Sequence, residues 1–205
     1  MINSSEARVY RGNTPSPPPN PTEPQTRLHH LQTLPAAEAL SLLLTFCASK
    51  TWAHHLTQAF PYPTPEAFLT AAEKIWHALP EPDWQEAFAA HPRIGEPQPP
   101  NSPGVSFFAE GGGPASAFLT SSTSEQSTTQ STLNPALTTA LQTLNQTYEQ
   151  KFGFRYIVFA SDRTAPELLA LLETRLNNTR EEELQEAARQ QHRITQLRIQ
   201  KWLNA

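Results

Sequence analysis

Arg155-Tyr156-Ile157-Val158-Phe159-Ala160 is the one strongly β-like run in this chain, and a single run cannot make a sheet. The other regular segments repeat their apolar residues every three or four positions, the spacing of one helical face. Pro35 stands at the first turn of an apolar segment containing Leu40, Leu42, Leu43, Leu44 and Phe46. Ser49-Lys50-Thr51-Trp52 begins a second helix. Thr64-Pro65-Glu66 is a start signal, with an N-cap, a proline at the first helical position and an acid in the first turn. The helix it opens carries Phe68, Ala71, Ile75 and Leu79 on one face. Asn134-Pro135 opens another, with Leu137, Leu141, Leu144 and Tyr148 in register and Gly153 placed to end it. Thr164 with Glu167, and Thr179 with Glu182, fit capping boxes. The final helix carries Leu184, Ala187, Ala188, Gln191, Ile194, Leu197 and Arg198. The expected class is all-α, a compact multi-helix bundle without internal repeats.

Proline and glycine divide the chain. Thr14-Pro15-Ser16-Pro17-Pro18-Pro19-Asn20-Pro21 favours extended polyproline geometry and buries little, so residues 1–30 are expected to form a disordered tail. Residues 31–205 then make the helical domain. Breaker clusters at 99–104 and 110–114 predict a long Pro/Gly-rich surface loop over 97–121, tacked down by Phe107, Phe108 and Phe118.

The 205 residues carry a net charge of −4, so the basic face of a nucleic-acid binder is not expected. No apolar run approaches the roughly 20 residues of a membrane span. Met1 to Arg8 shows no apolar signal-peptide core and Leu203-Asn204-Ala205 is not a peroxisomal address, so no targeting signal is recognisable. The expected location is intracellular, cytoplasmic or peroxisomal. The single Cys47 lies in an apolar run and reads as a small buried hydrophobe. Asn145-Gln146-Thr147 reads as a chance glycosylation sequon.

The stretch that points most directly to chemistry is His91-Pro92-Arg93-Ile94-Gly95-Glu96. It follows a short helix over residues 84–90. Pro92 disfavours helical geometry at His91, and Gly95 permits a tight turn. An imidazole is thereby held at a helix end, where it can exchange a proton near neutral pH. The alternative is a histidine that caps the last turn of its helix.

Several segments, read in order, carry a family resemblance. They are Leu34-Pro35-Ala36-Ala37-Glu38-Ala39, Cys47-Ala48-Ser49-Lys50-Thr51-Trp52-Ala53, His91-Pro92-Arg93-Ile94-Gly95 and Ser122-Thr123-Ser124-Glu125-Gln126. After these come residues 144–154 around Phe152-Gly153-Phe154, then Arg175-Leu176-Asn177-Asn178 and Ile194-Thr195-Gln196-Leu197-Arg198-Ile199. Over about residues 34–200 the chain resembles the decarboxylases of 2-oxo-4-hydroxy-4-carboxy-5-ureidoimidazoline (OHCU). The resemblance implies an all-α, homodimeric enzyme without cofactor or metal, acting on OHCU in urate degradation to give (S)-allantoin and carbon dioxide. It implies His91 and Glu125 as the catalytic pair. Pro92, Ser122, Gln126, the backbone of Ile157, Val158, Phe159, Ala160 and Ser161, and Arg198 are implied to contact substrate. The chain departs from the pattern in one respect: the interval between His91 and Glu125 is longer than the family's, because it holds the Pro/Gly-rich loop.

Loss of carbon dioxide leaves an electron pair on carbon, and an imidazolinone can take it up through its own carbonyl and imine groups. The protein must orient the carboxylate, stabilise the charge entering the ring and protonate one face. His91 is expected to supply the proton, Glu125 to accept hydrogen bonds from substrate and favour the imidazolium, and Arg198 to hold an anionic or carbonyl group. The pairs His54-His55 and His29-His30 offer poor metal-ligand spacing. A second function class stays open: a helical interaction module that keeps the fold without the activity. Whether His91 and Glu125 face one pocket separates the two.

Overall fold

A computed structural model describes residues 22–96 and 124–205. Among them are nine helices and no strand: α1 (Glu23–Thr33), α2 (Ala36–Phe46), α3 (Lys50–Gln58), α4 (Pro65–Ala78), α5 (Glu81–Ala90), α6 (Ser127–Ser131), α7 (Pro135–Phe152), α8 (Ala165–Arg175) and α9 (Arg180–Leu203). No described helix is long and apolar enough to cross a membrane.

The start and stop signals act as their chemistry dictates. Ser49, Thr64 and Asn134 each accept a hydrogen bond from a backbone N–H in the first turn of the helix they open. Thr164–Glu167 and Thr179–Glu182 form reciprocal capping boxes on α8 and α9. Gly153 ends α7 at φ 81°, a conformation costly for a residue with a Cβ, and its N–H donates to the Glu149 carbonyl.

Helix α9 is the axis of the bundle, packing against α1, α2, α4, α5 and α7. It buries Leu184, Ala187, Ala188, Ile194, Ile199 and Leu203, and beside them the polar Glu183, Gln191, Thr195 and Arg198. Polar groups in a core must find partners: Glu183 accepts from Arg175, Gln191 donates to Thr195 and Arg198 donates to Glu125. Tryptophans set the helix registers: Trp76 Nε1 donates to the Ala188 carbonyl at 2.9 Å, Trp52 Nε1 to Ala72 at 3.0 Å and Trp84 Nε1 to Trp76 at 2.9 Å.

Two expectations change. Residues 23–30, expected to belong to the tail, are helical: α1 begins at Glu23 and inserts Leu28 and Leu31, both fully buried, against α9, α2 and α4. Proline density upstream hid a Leu-x-x-Leu spacing that suits a helix face. The β-like run at 155–160 forms neither helix nor strand. The loop over 97–121, with Phe107, Phe108 and Phe118, lies outside the described residues.

Candidate active site

His91 caps the C-terminus of α5 in extended geometry, φ −73° and ψ 144°, as the following Pro92 requires. The turn after it is fixed from three sides. Arg155 Nη1 donates to the His91 carbonyl. Asn145, buried on α7, donates to the Ile94 carbonyl at 3.0 Å. Arg93 holds both carboxylate oxygens of Glu149 at 2.8 Å. Gly95 adopts φ +79°, and a Cβ there would meet Leu141 Cδ1 at 2.8 Å, so the turn tolerates no side chain. Asn145 spends its amide in the core, which accounts for the sequon as a chance match.

The opposite wall comes from the segment leading into α6. Glu125 and Gln126 are both buried. Arg198 of α9 donates from Nε to Glu125 Oε1 and from Nη2 to Oε2, each at 2.8 Å. Such a bidentate pair fixes the plane of the carboxylate. It still leaves lone pairs on both oxygens for further donors. Helix α6 is tied to the next wall, because Thr129 Oγ1 donates to the Arg163 carbonyl at 2.9 Å and Thr132 Oγ1 accepts from the Ala165 N–H at 2.8 Å.

That wall is the run at 155–160. Arg175 Nη1 donates to the Ile157 carbonyl at 2.7 Å while its Nε donates to Glu183 Oε1 at 2.8 Å. Glu183, fully buried, also accepts from Tyr148 Oη and from Asn178 Nδ2. The Arg175 guanidinium lies 4.8 Å from the Tyr156 ring centroid, a cation–π contact in a dry setting. The Phe159 N–H donates to Gln190 Oε1 at 2.8 Å. The run is thus held by side chains of α8 and α9 in place of a neighbouring strand.

These pieces surround a small recess lined by His91, Pro92, Glu125, Gln126 and the segment from Tyr156 to Ser161 apart from Phe159, with Ile94 and Ile194 completing it. Seven of the residues implied by the resemblance therefore meet beside His91: Pro92, Glu125, Gln126, Ile157, Val158, Ala160 and Ser161. Phe159 does not line the recess; its ring sits under Arg193, 4.6 Å from the guanidinium carbon. Arg198 does not line it either, and instead holds Glu125. Ser122 lies outside the described residues. Sequence reasoning missed Ile94, Tyr156, Ile194 and Gln191. Ile194 was legible, since it stands four positions before Arg198 on one helical face.

Burial is the dominant electrostatic influence on His91 and pushes its pKa down to about 3, with the positive charges of Arg198 and Arg155 acting in the same direction and the nearby Gln191 side chain opposing them. His91 is therefore neutral at physiological pH in the free protein. Glu125, whose charge is matched by Arg198, is not among the groups that act on His91, whereas Arg198 works against its protonation. Burial likewise raises the Cys47 thiol to about 12, which agrees with a buried hydrophobe that is no nucleophile.

An all-α bundle buries a histidine and an arginine-gripped carboxylate around one recess. The chain belongs to the OHCU decarboxylase family, whose sequence model matches residues 32–200. A crystal structure of OHCU decarboxylase in the presence of (S)-allantoin is similar to it at 31% identity with a TM-score of 0.66, covering 80% of this chain and 99% of the other. The uric acid degradation bifunctional protein TTL of Arabidopsis thaliana is 36% identical over 155 residues, 76% of this chain. The chain spans 44% of that protein's length. A crystal structure of (S)-allantoin synthase shares the fold, with 20% identity and a TM-score of 0.60, over 85% of this chain and 53% of the other.

Proposed function

We propose that this chain decarboxylates OHCU to (S)-allantoin in urate degradation, with its chemistry centred on His91. The observation that carries the reading is that His91 and Glu125, far apart in sequence, line the same recess. An interaction module would have no need to bury a neutral imidazole, a gripped carboxylate and a Gln126 amide around one small space.

The geometry supports specific roles. Neutral His91 meets the substrate as a base, positioned to take the proton of the ring hydroxyl. A bound substrate carboxylate raises the histidine's affinity for that proton, by the attraction between opposite charges. As carbon dioxide leaves, the electron pair passes into the ring, and the imidazolium returns a proton to carbon on the face it occupies. A second proton, supplied by solvent, balances the loss of a carboxylate as neutral carbon dioxide. Glu125 accepts from substrate N–H groups with the lone pairs that Arg198 leaves open. The backbone of the 157–161 run supplies further polar groups along the opposite edge. Arg198 positions Glu125.

The test is a spectroscopic and chiral assay on freshly generated OHCU. The reading expects accelerated release of carbon dioxide and an excess of the (S) enantiomer. Racemic product at the spontaneous rate favours the module. We also propose a homodimer, from the family resemblance; light scattering giving the mass of one chain would refute it.

A further inference from the structure

Outside the recess, one cluster of side chains has no part in the chemistry above. Glu73 and His77 stand four apart on α4 and so share a face, and His192 on α9 turns toward them. The ligand-type atoms of all three lie within 4.8 Å of one another. His192 Nε2 is 3.6 Å from Glu73 Oε1, and the two imidazole rings are 5.2 Å apart between centroids. We propose that Glu73, His77 and His192 form a divalent transition-metal site of the zinc class that clamps α4 to α9.

The donor chemistry fits that class. Two imidazoles and one carboxylate are a known zinc ligand set, with a fourth position left for water. Bonds of about 2.1 Å in a tetrahedron place ligand atoms about 3.4 Å apart, so the Glu73–His192 pair is already near its bound spacing. The exposed Glu73 and His77 can close the remaining gap by rotamer changes. The scaffold is rigid where it needs to be: the Trp76 to Ala188 hydrogen bond locks α4 against α9 one turn from His192.

The site is distinct from the recess. None of its three residues lines that space. His192 follows Gln191 in α9, but successive helical positions diverge by about 100°, so His192 faces α4 while Gln191 meets His91. The bound ion would therefore act on the packing of the two helices. The sequence reading finds no metal-ligand spacing because it cannot see α4 and α9 meet.

The experiment uses the full chain stripped with a chelator. Zn²⁺ is titrated by calorimetry, and Co²⁺ is titrated while the visible d–d absorption is followed. The proposal expects one ion per chain, a tetrahedral-type Co²⁺ spectrum and a higher thermal midpoint with Zn²⁺. His77→Gln and His192→Gln should each abolish the Co²⁺ band and the thermal shift while helical circular dichroism is retained. Glu73→Gln should weaken binding by at least about tenfold, the scale on which even outer-sphere partners act. His77 is exposed, so its variant tests the site even if His192→Gln folds poorly. No stoichiometric binding, or binding that survives in His77→Gln, for instance at His54 and His55, overturns the proposal.

Discussion

Arg198 grips both carboxylate oxygens of Glu125 at 2.8 Å, joining the last helix to the segment that leads into α6. Both side chains are buried, at 2% and 8% exposure. Removing one member of such a pair leaves a bare charge and costs about 3–5 kcal/mol. Glu125→Gln is expected to lose stability on that scale in chemical denaturation. It also leaves the Arg198 charge unmatched near His91, which pushes the imidazole pKa further down. Arg198→Lys keeps the charge but not the fork, so Glu125 loses its fixed plane. Its kcat should fall with little change in helical content, measured by steady-state kinetics beside circular dichroism.

The Arg175–Glu183 pair carries a second prediction. Arg175→Met strands the fully buried Glu183 and frees the Ile157 carbonyl. The expected loss is about 3–5 kcal/mol in a urea titration. Adding Glu183→Gln should restore part of it, because the two sites share one network and their effects do not add. Full additivity in the double mutant would show that the pair is not coupled.

Helix α1 gives a third. Leu28→Ala removes a fully buried side chain and should destabilise by about 2–5 kcal/mol. Deleting residues 1–30 removes Leu28 with most of α1 and should lower the thermal midpoint. An unchanged midpoint would mean that α1 is not part of the cooperative core.

The histidines predict a pH dependence of stability. His91 titrates at about 3 when folded, against an ordinary value near 6.5 when unfolded. The unfolded chain then binds more protons, so the contribution is present above about pH 6.5 and is lost as pH falls toward 3. The lowered pKa of His192 adds in the same direction. His91→Gln, which cannot titrate, should flatten the fall in unfolding free energy between about pH 6.5 and 4. An unchanged slope would show that His91 is not buried neutral.

Much of the molecule was legible because local chemistry decided it. Ser49, Thr64, Asn134 and Gly153 mark helix ends through hydrogen bonds and φ preferences that involve neighbours in sequence. Pro92 and Gly95 likewise fix the His91 turn. The role of Arg198 was not legible in the same way. Its Glu125 contact is set by the packing of α9 against a distant segment, and only the fold shows that the guanidinium is committed to a carboxylate. Nor could the protonation state of His91 be read locally, since it depends on burial and on Arg155 and Arg198 together. The start of α1 was hidden by the prolines before it.

The central claim is that His91 transfers the proton that sets the chirality of allantoin. The direct measurement is the rate and enantiomeric excess of allantoin formed from fresh OHCU by His91→Asn beside the parent chain. General acid–base catalysis contributes about 10²–10⁴-fold, so the variant should lose acceleration on that scale and yield nearly racemic product, with its helical signal intact. Parent-like turnover with an undiminished excess of the (S) enantiomer would contradict the account.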